Sequence, residues 1–204
     1  MSNIIDLDKK YLWHPFTQMK GWLENDQTVI TTAKGIKLVD EEGREYYDGV
    51  SSLWVNIHGH QHPHIDKAII DQLGKVAHST ALGLANVPAS KFAEKLIKTM
   101  PKGLSKVFFS DDGSTAVEVA LKMAFQYWQH KNKPGKQKFI SLANAYHGDT
   151  VGTVSVGGID LFHRVFKPLL FEAKHIPSPS CYHCNLTDDK ESCPLICADK
   201  LEEV

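Results

Sequence analysis

The chain has 204 residues, of which 42% are hydrophobic and 23% charged, which excludes a disordered, collagen-like or coiled-coil protein. Its 23 basic and 24 acidic residues leave a formal net charge of −1, which disfavours binding to nucleic acid or anionic membranes through a general positive field. No segment approaches the roughly 20 apolar residues that span a bilayer, and the polar N-terminus lacks the pattern of a secretion signal. We expect a soluble, cytoplasmic globular protein without nucleic-acid or membrane partners.

The first half of the chain predicts a hairpin followed by helices. Two runs rich in β-branched, aliphatic and aromatic residues within 28–47 flank the turn sequence Asp40-Glu41-Glu42-Gly43, which is typical of antiparallel strands. Helices are predicted from Pro63 and from Pro88, because proline suits the first helical turn and apolar residues follow at helical spacing.

Four alternating histidines, His58, His60, His62 and His64, precede the first of these helices. On a continuous strand they would lie on one face, as a metal site could require, but Pro63 interrupts such a strand. We therefore interpret them as loop and helix-start residues with ordinary hydrogen bonds.

A strand, a tight loop and a helix are predicted next. Residues 107–109 are a short apolar run, residues 110–114 are polar, and apolar residues then recur at helical spacing to about Gln129. Thr115 and Glu118 have the spacing of a capping box, which places the helix start.

Further strand signals complete the prediction of an α/β fold. Phe139-Ile140-Ser141-Leu142 is a strand run that follows the breaker Lys133-Pro134-Gly135, and residues 153–156 indicate a third strand. Strands that alternate with helices are typical of a sheet with crossover helices.

Two loops carry candidate chemistry. The loop Asp112-Gly113-Ser114-Thr115 offers free backbone amides, a helix N-terminus and two hydroxyls, which suit a phosphate, although many such turns bind nothing. It lacks the lysine of a nucleoside-triphosphate loop. The second loop, 145–150, follows a strand end and contains Tyr146, which could stack on a planar cofactor or simply pack, with Asp149 as a turn residue.

All four cysteines lie within seventeen residues of one another, at Cys181, Cys184, Cys193 and Cys197. The first pair has the two-residue gap of zinc sites, whereas the second pair has a three-residue gap. Both a zinc site and reduced loop thiols remain open from the spacing. We expect reduced thiols and no structural metal.

Several segments together are similar to one enzyme family. Three segments resemble the start of the 8-amino-7-oxononanoate aminotransferases of biotin synthesis: 12–19, which contains Trp13-His14-Pro15-Phe16, 48–54 and 57–60. The two later segments resemble class III aminotransferases more generally. The matching segments are 12–19, 48–54, 57–60, 110–124 and 146–150.

The resemblance implies a homodimeric enzyme that uses pyridoxal 5′-phosphate and has the type I pyridoxal-phosphate transferase fold, of which this chain is the N-terminal part. It implies a small-domain hairpin segment over 1–60 and an incomplete large cofactor-binding domain over 61–204. By the same resemblance, Gly113 and Ser114 bind the cofactor phosphate and Tyr146 stacks on the cofactor ring.

The residues expected at the substrate are Phe16, Leu53, Trp54, Tyr146 and Asp149, with Asp149 orienting the amine or the substrate. Family members that use S-adenosylmethionine carry tyrosine and tryptophan where this chain has Phe16 and Leu53, and lysine-using members resemble this chain there. Loss of a phenol and an indole weakens recognition of a polar donor, so both donors remain open.

The resemblance also implies that the lysine that binds the cofactor covalently lies beyond Val204. The chain is therefore expected to be a fragment that is inactive by itself. The remaining alternatives are a class III aminotransferase for ornithine, 4-aminobutyrate or another omega-amino donor, and a non-catalytic truncated product.

Overall fold

A computed structural model describes residues 3–182, 184–189, 191–193 and 195–204, and the backbone alone at 162 and 163. They divide into two units, residues 1–90 and 91–204, each of which combines helices with a small sheet. Within the described residues, no helix is both long and apolar enough to span a membrane.

The first unit is built around a three-stranded antiparallel sheet in the order β1-β2-β3. Its strands are β1 (Ile30–Lys34), β2 (Lys37–Asp40) and β3 (Glu45–Tyr47). The helical segments that begin in this unit are α1 (Ile4–Tyr11), α2 (Met19–Glu24), the single turn α3 (Ser51–Trp54), α4 (Pro63–Leu73) and α5 (Val87–Thr99). The predicted hairpin and both predicted helices are thereby confirmed.

A buried aspartate holds the β2–β3 turn. The Asp40 carboxylate accepts hydrogen bonds from the Arg44 Nε, the Tyr46 hydroxyl and the amides of Glu42 and Arg44, at 2.6 to 3.0 Å. Burial acts to raise the pKa of Asp40, but these hydrogen bonds outweigh it and lower the pKa to about 2. Gly43 has a φ of 80°, which a residue with a side chain adopts only with strain.

The second unit places helices beside a parallel strand pair, β4 (Phe139–Leu142) and β5 (Ala173–Ile176). Its helices are α6 (Gly113–His130), α7 (Val151–Val156), α8 (Asp160–His163), the 3-10 helix Arg164–Leu169 and α9 (Ile196–Asp199). The predicted end of α6 near Gln129, the strand at 139–142 and the α/β class are confirmed.

The short helix α7 forms the interior of this unit and packs against α6, β4 and β5. The buried apolar side chains of the described residues are Val154 and Val156, both on α7. The predicted strand over 153–156 is wrong. Here the helical hydrogen bond from the Val154 amide to the Thr150 carbonyl, and tertiary packing, override the strand preference of β-branched residues.

Two further predictions need correction. Residues 107–109 are not a strand, because no described neighbouring strand pairs with them, and the Phe109 ring instead stacks on Phe92 at 5.8 Å between centroids. The capping box of α6 is formed by Asp112 with Thr115, and Glu118 takes no part in it. The carboxylate of Glu118 instead binds α7, where it satisfies a helix N-terminus.

Candidate functional site

The N-terminus of α6 is built by its own first residues. Asp112 is the N-cap, and its Oδ1 accepts a hydrogen bond from the Thr115 amide at 2.8 Å, while the Thr115 Oγ1 accepts one from the Asp112 amide at 3.1 Å. The Thr115 hydroxyl also donates to Asp111, which lowers the pKa of that carboxyl. The amides of Gly113 and Ser114 have no acceptor among the described residues, so they are available to an anion.

The loop that follows β4 lies directly against this helix end. Gly148 has a φ of 123°, and a Cβ at this position would lie 2.1 Å from the Ser114 Oγ and 2.9 Å from the Ser114 Cα. Only glycine fits such a close approach. The structure therefore brings Ser114 next to Gly148, which lies in the same segment as Tyr146 and Asp149.

Tyr146 and Asp149 form a pair within that segment. The Tyr146 hydroxyl donates to the Asp149 Oδ2 at 2.5 Å, and this hydrogen bond, with some burial, raises the pKa of Tyr146. The phenol therefore keeps its proton at neutral pH. Half of the Tyr146 side chain is exposed, so a ligand can reach the ring.

Glu118 fixes the other end of the same loop. Its Oε1 accepts hydrogen bonds from the Thr150 hydroxyl at 2.6 Å and from the Gly152 amide at 2.7 Å. A carboxylate at the start of α7 satisfies a free amide and interacts favourably with the helix dipole. Glu118 thereby joins α6 to the loop that carries Tyr146.

In the first unit, the backbone of α3 is left-handed. The φ angles of Ser51, Ser52, Leu53 and Trp54 are 51°, 49°, 62° and 72°, and none of these residues is glycine. The left-handed conformation costs roughly 1–2 kcal/mol per residue with a side chain. Such strain is concentrated at ligand-binding segments in proteins, which makes this turn a candidate substrate wall.

A buried carboxylate contacts this turn. Asp48 Oδ1 accepts from the Ser52 amide at 2.7 Å, and Oδ2 accepts from the Ser52 hydroxyl at 2.8 Å. The His60 Nε2 lies 2.9 Å from the same Oδ2. The hydrogen bond from the Ser52 amide, followed by those from His60 and the Ser52 hydroxyl, lowers the pKa of Asp48. Asp48 is therefore ionised at neutral pH.

A second carboxylate that binds a histidine, Asp8, pairs with His14, which lies close to Phe16 in the sequence. Asp8 accepts hydrogen bonds from the Trp22 Nε1 and pairs with the His14 Nε2, both at 2.9 Å, and the His14 and Trp22 rings lie 4.0 Å apart. The hydrogen bond from His14, then that from Trp22, lowers the pKa of Asp8. Phe16 itself has a left-handed φ of 49°.

The three residues of this unit that the sequence predicts at the substrate present large apolar side chains to solvent. Phe16 is 85% exposed, Leu53 68% and Trp54 74%. No ring contact joins Phe16 to Trp54 within the described residues. Many other large apolar residues of the described chain are also exposed, so it is the strained backbone of these three that favours a role in binding.

The four cysteines are free thiols, exposed at Cys181 and half-buried at Cys184, Cys193 and Cys197. Within the described part of the chain, which omits His183, no group of three or more His, Cys, Asp or Glu residues is placed to bind a metal. The expectation of reduced thiols without metal stays a prediction.

Comparison of the sequence with known protein families identifies the family of this chain. The sequence profile described as "Aminotransferase class-III" matches residues 20–204. The chain belongs to the class III aminotransferase family. This membership confirms the family predicted from the sequence motifs.

Within this family, the chain is similar to curated relatives that share one name. The chain is 50% identical over 200 residues to the adenosylmethionine-8-amino-7-oxononanoate aminotransferase of Geobacter sulfurreducens, which covers 98% of this chain and 44% of the relative. It is 52% identical to the protein of the same name from Aquifex aeolicus, covering 97% of this chain and 43% of the relative. The chain thus spans less than half the length of these relatives.

Solved structures confirm the predicted type I transferase fold. The adenosylmethionine-8-amino-7-oxononanoate aminotransferase of Methanocaldococcus jannaschii matches with a TM-score of 0.83 and 48% identity, over 89% of this chain and 41% of that chain. An omega transaminase from Pseudomonas jessenii, solved in complex with PMP, matches with a TM-score of 0.84 and 31% identity, over 92% and 42%.

The sequence did not predict the contacts that organise the two candidate regions, which are those of Asp48 with Ser52 and His60 in the first unit and those of Glu118 with Thr150 and Gly152 in the second. Asp48 lies inside a recognised motif, but nothing in its spacing to His60 indicates that they pair. Glu118 was assigned to the wrong partner, because a Thr-x-x-Glu spacing is the usual signal for a capping box.

Proposed function

We propose that the protein containing this chain is a pyridoxal 5′-phosphate-dependent aminotransferase that converts 8-amino-7-oxononanoate to 7,8-diaminononanoate in biotin biosynthesis. The observation that carries the proposal is the combination of about half-identical relatives of that name with an open helix N-terminus at Gly113 and Ser114. Transamination moves an amino group from a donor to this keto substrate in two half-reactions.

The residues of the second unit fit the cofactor. Gly113 and Ser114 offer two amides and a hydroxyl at a helix N-terminus, which suits a phosphate dianion. Tyr146 has a half-exposed aromatic face in the segment that touches Ser114, which suits a planar ring. Pyridoxal phosphate, when bound, supplies the electron sink and amino-group carrier that transamination requires.

Asp149 and the Tyr146 hydroxyl give the candidate cofactor site of the second unit a defined polarity. The phenol is held as a donor by the carboxylate, so the pair presents a negative charge without a mobile proton. We propose that Asp149 orients the amino group of the substrate, and that Tyr146 contacts both cofactor and substrate.

Phe16, Leu53 and Trp54 are proposed to bind the aliphatic part of the substrate through their exposed apolar side chains. Phe16 has no hydroxyl and Leu53 has no indole, so these two positions offer no hydrogen-bond donor to a polar amino donor. Both S-adenosylmethionine and lysine are proposed donors, and the residues leave the choice to experiment. A cytoplasmic homodimer is proposed as the working form.

The deciding experiment uses the complete polypeptide that contains this chain. Purified protein with pyridoxal phosphate and 8-amino-7-oxononanoate should form 7,8-diaminononanoate with either S-adenosylmethionine or lysine as donor, as measured by mass spectrometry. Activity with ornithine or 4-aminobutyrate alone would assign it to another class III subgroup.

A matched variant tests the phosphate site separately. Ser114→Ala removes one hydroxyl donor to a charged group, and should weaken pyridoxal phosphate binding about tenfold. Ser110→Ala, in the same loop before the helix, is the control and should bind as the wild type does. Equal affinity of the wild type and Ser114→Ala would contradict the assignment.

A further inference from the structure

Among the described residues, the left-handed turn α3 buries little of its large apolar side chains, so apolar packing offsets little of its strain. Leu53 and Trp54 lie mostly exposed, whereas the polar residues around the turn are buried: the side chain of Asp48 is 6% exposed and that of His60 is 17% exposed. The interactions that stabilise the turn are therefore polar. They are backbone hydrogen bonds, from the Trp54 amide to the Val50 carbonyl and from the Val55 amide to the Ser51 carbonyl, and the side-chain hydrogen bonds of the Asp48 carboxylate.

The hydrogen bonds of Asp48 connect the turn to the sheet. Both of its oxygens bind Ser52, the second residue of the turn, and Oδ2 also pairs with His60. His60 is in turn joined to Gly35 by two backbone hydrogen bonds of 2.8 and 3.0 Å. The connection thus runs from the β1–β2 turn through His60 and Asp48 to the residue preceding Leu53.

We infer that Asp48, with His60 and Ser52, is a positioning residue that holds the left-handed turn and so orients Leu53 and Trp54 toward the substrate. This inference rests on the proposed function, because it assumes that these two side chains contact substrate. Asp48 itself does not touch the reacting atoms in this scheme.

The chemistry of the carboxylate explains why aspartate is suited to the task. Three donors face its two oxygens: an amide, a hydroxyl and an imidazole N–H. Asparagine keeps one acceptor but turns an N–H donor toward the others, so at least one hydrogen bond is lost. Without these bonds the turn relaxes toward right-handed conformations, which redirects the side chains of Leu53 and Trp54.

The first arm of the test does not depend on activity. In the complete polypeptide containing this chain, Asp48→Asn should speed hydrogen exchange of the turn amides, Trp54 and Val55, by about tenfold. Exchange in β2 should stay unchanged. Asp26→Asn, at an exposed aspartate without a hydrogen-bond partner among the described residues, is the matched control and should leave all of these rates unchanged.

The second arm separates positioning from a general loss of structure. Asp48→Asn should raise KM for 8-amino-7-oxononanoate by about tenfold while kcat stays within about twofold and pyridoxal phosphate affinity is unchanged. Adding Ser52→Gly to Asp48→Asn should lower the raised KM part of the way back to the wild-type value, because glycine adopts the left-handed conformation without support. Should Asp48→Asn fail to fold, Ser52→Ala removes only the hydroxyl bond and should raise KM about threefold.

The outcomes are distinct. Unchanged exchange at Trp54 and Val55, or a raised KM that Ser52→Gly makes worse, would overturn the inference. A wild-type protein without activity on 8-amino-7-oxononanoate would refute the proposed function alone, and the exchange arm would then still decide whether Asp48 holds the turn.

Discussion

The N-terminus of α6 and the left-handed turn α3 are both proposed to bind a ligand, but the backbone of the first is regular and that of the second is strained. At α6, the side chains of Asp112 and Thr115 each accept a hydrogen bond from the other's backbone amide, and two further amides stay without an acceptor, as at the start of any helix. At α3, four residues with side chains hold positive φ angles, supported by Asp48 and the distant His60. The proposed phosphate site is therefore built from the backbone of one helix end, against which Gly148 packs, whereas the turn is supported by Asp48 together with His60, 12 residues further along the chain.

The largest expected effect tests how tightly the α6 end is packed. Gly148→Ala should reduce kcat/KM of the complete enzyme at least about 100-fold, because the new Cβ collides with Ser114 and displaces Tyr146. Steady-state kinetics and pyridoxal phosphate titration measure it.

The matched control for that variant is Gly103→Ala. Gly103 also has a positive φ, 102°, but a Cβ there meets nothing within 4 Å. It should keep kcat/KM within about twofold of wild type. Similar losses in both variants would mean that backbone strain, and not the contact with Ser114, limits the site.

The next effect concerns the link between α6 and α7. Glu118→Ala removes the acceptor for Thr150 and Gly152, and should lower the free energy of unfolding by roughly 2 kcal/mol in urea titrations. Glu118→Gln keeps an oxygen acceptor and should lose about half as much. If alanine and glutamine are equally destabilising, the charge matters more than the hydrogen bonds.

A pH experiment tests the hairpin that leads into the strained turn. The pKa of Asp40 is depressed to about 2 in the folded protein, so its stabilising contribution is present above the unfolded value, near pH 4. It is lost as the pH falls from 4 toward 2. The difference in unfolding free energy between wild type and Asp40→Asn should therefore be constant from pH 7 to 5 and shrink below pH 4. A constant difference down to pH 2.5 would contradict this role.

The smallest effect measures the strain itself. Ser51 has a φ of 51°, and its side chain makes no hydrogen bond among the described residues. Ser51→Gly should stabilise the protein by about 0.5 kcal/mol, because relief of the left-handed cost exceeds the extra entropy of glycine in the unfolded chain. Ser90→Gly, within α5, should instead destabilise it by a similar amount. A destabilising Ser51→Gly would show that the turn is not strained.

The sequence predicted those elements whose signals are local. The hairpin at Asp40 to Gly43, the helix from Pro63 and the strand at Phe139 each follow from a few adjacent residues, and the structure confirms them. The family resemblance predicts Gly113, Ser114 and Tyr146 as cofactor-binding residues, and this assignment stays a prediction; the structure places Gly148 against Ser114.

The failures involve interactions between distant residues. Residues 153–156 have strand-like composition, yet Glu118, more than thirty positions earlier, binds the start of a helix there. The left-handed turn contains no glycine or asparagine, so its residue types point away from the conformation that it adopts. The hydrogen bonds of Ser52 to Asp48, with His60 on the same carboxylate, support this conformation, and no periodicity indicates them.

The parallel pair of β4 and β5 has a consequence for assembly. Among the described residues, each strand pairs only with the other, so both outer edges expose unpaired amides and carbonyls. Parallel sheets are normally extended and covered on both faces, and open edges recruit further strands. In the second unit, the open edges of β4 and β5 are therefore the positions at which further strands would pair.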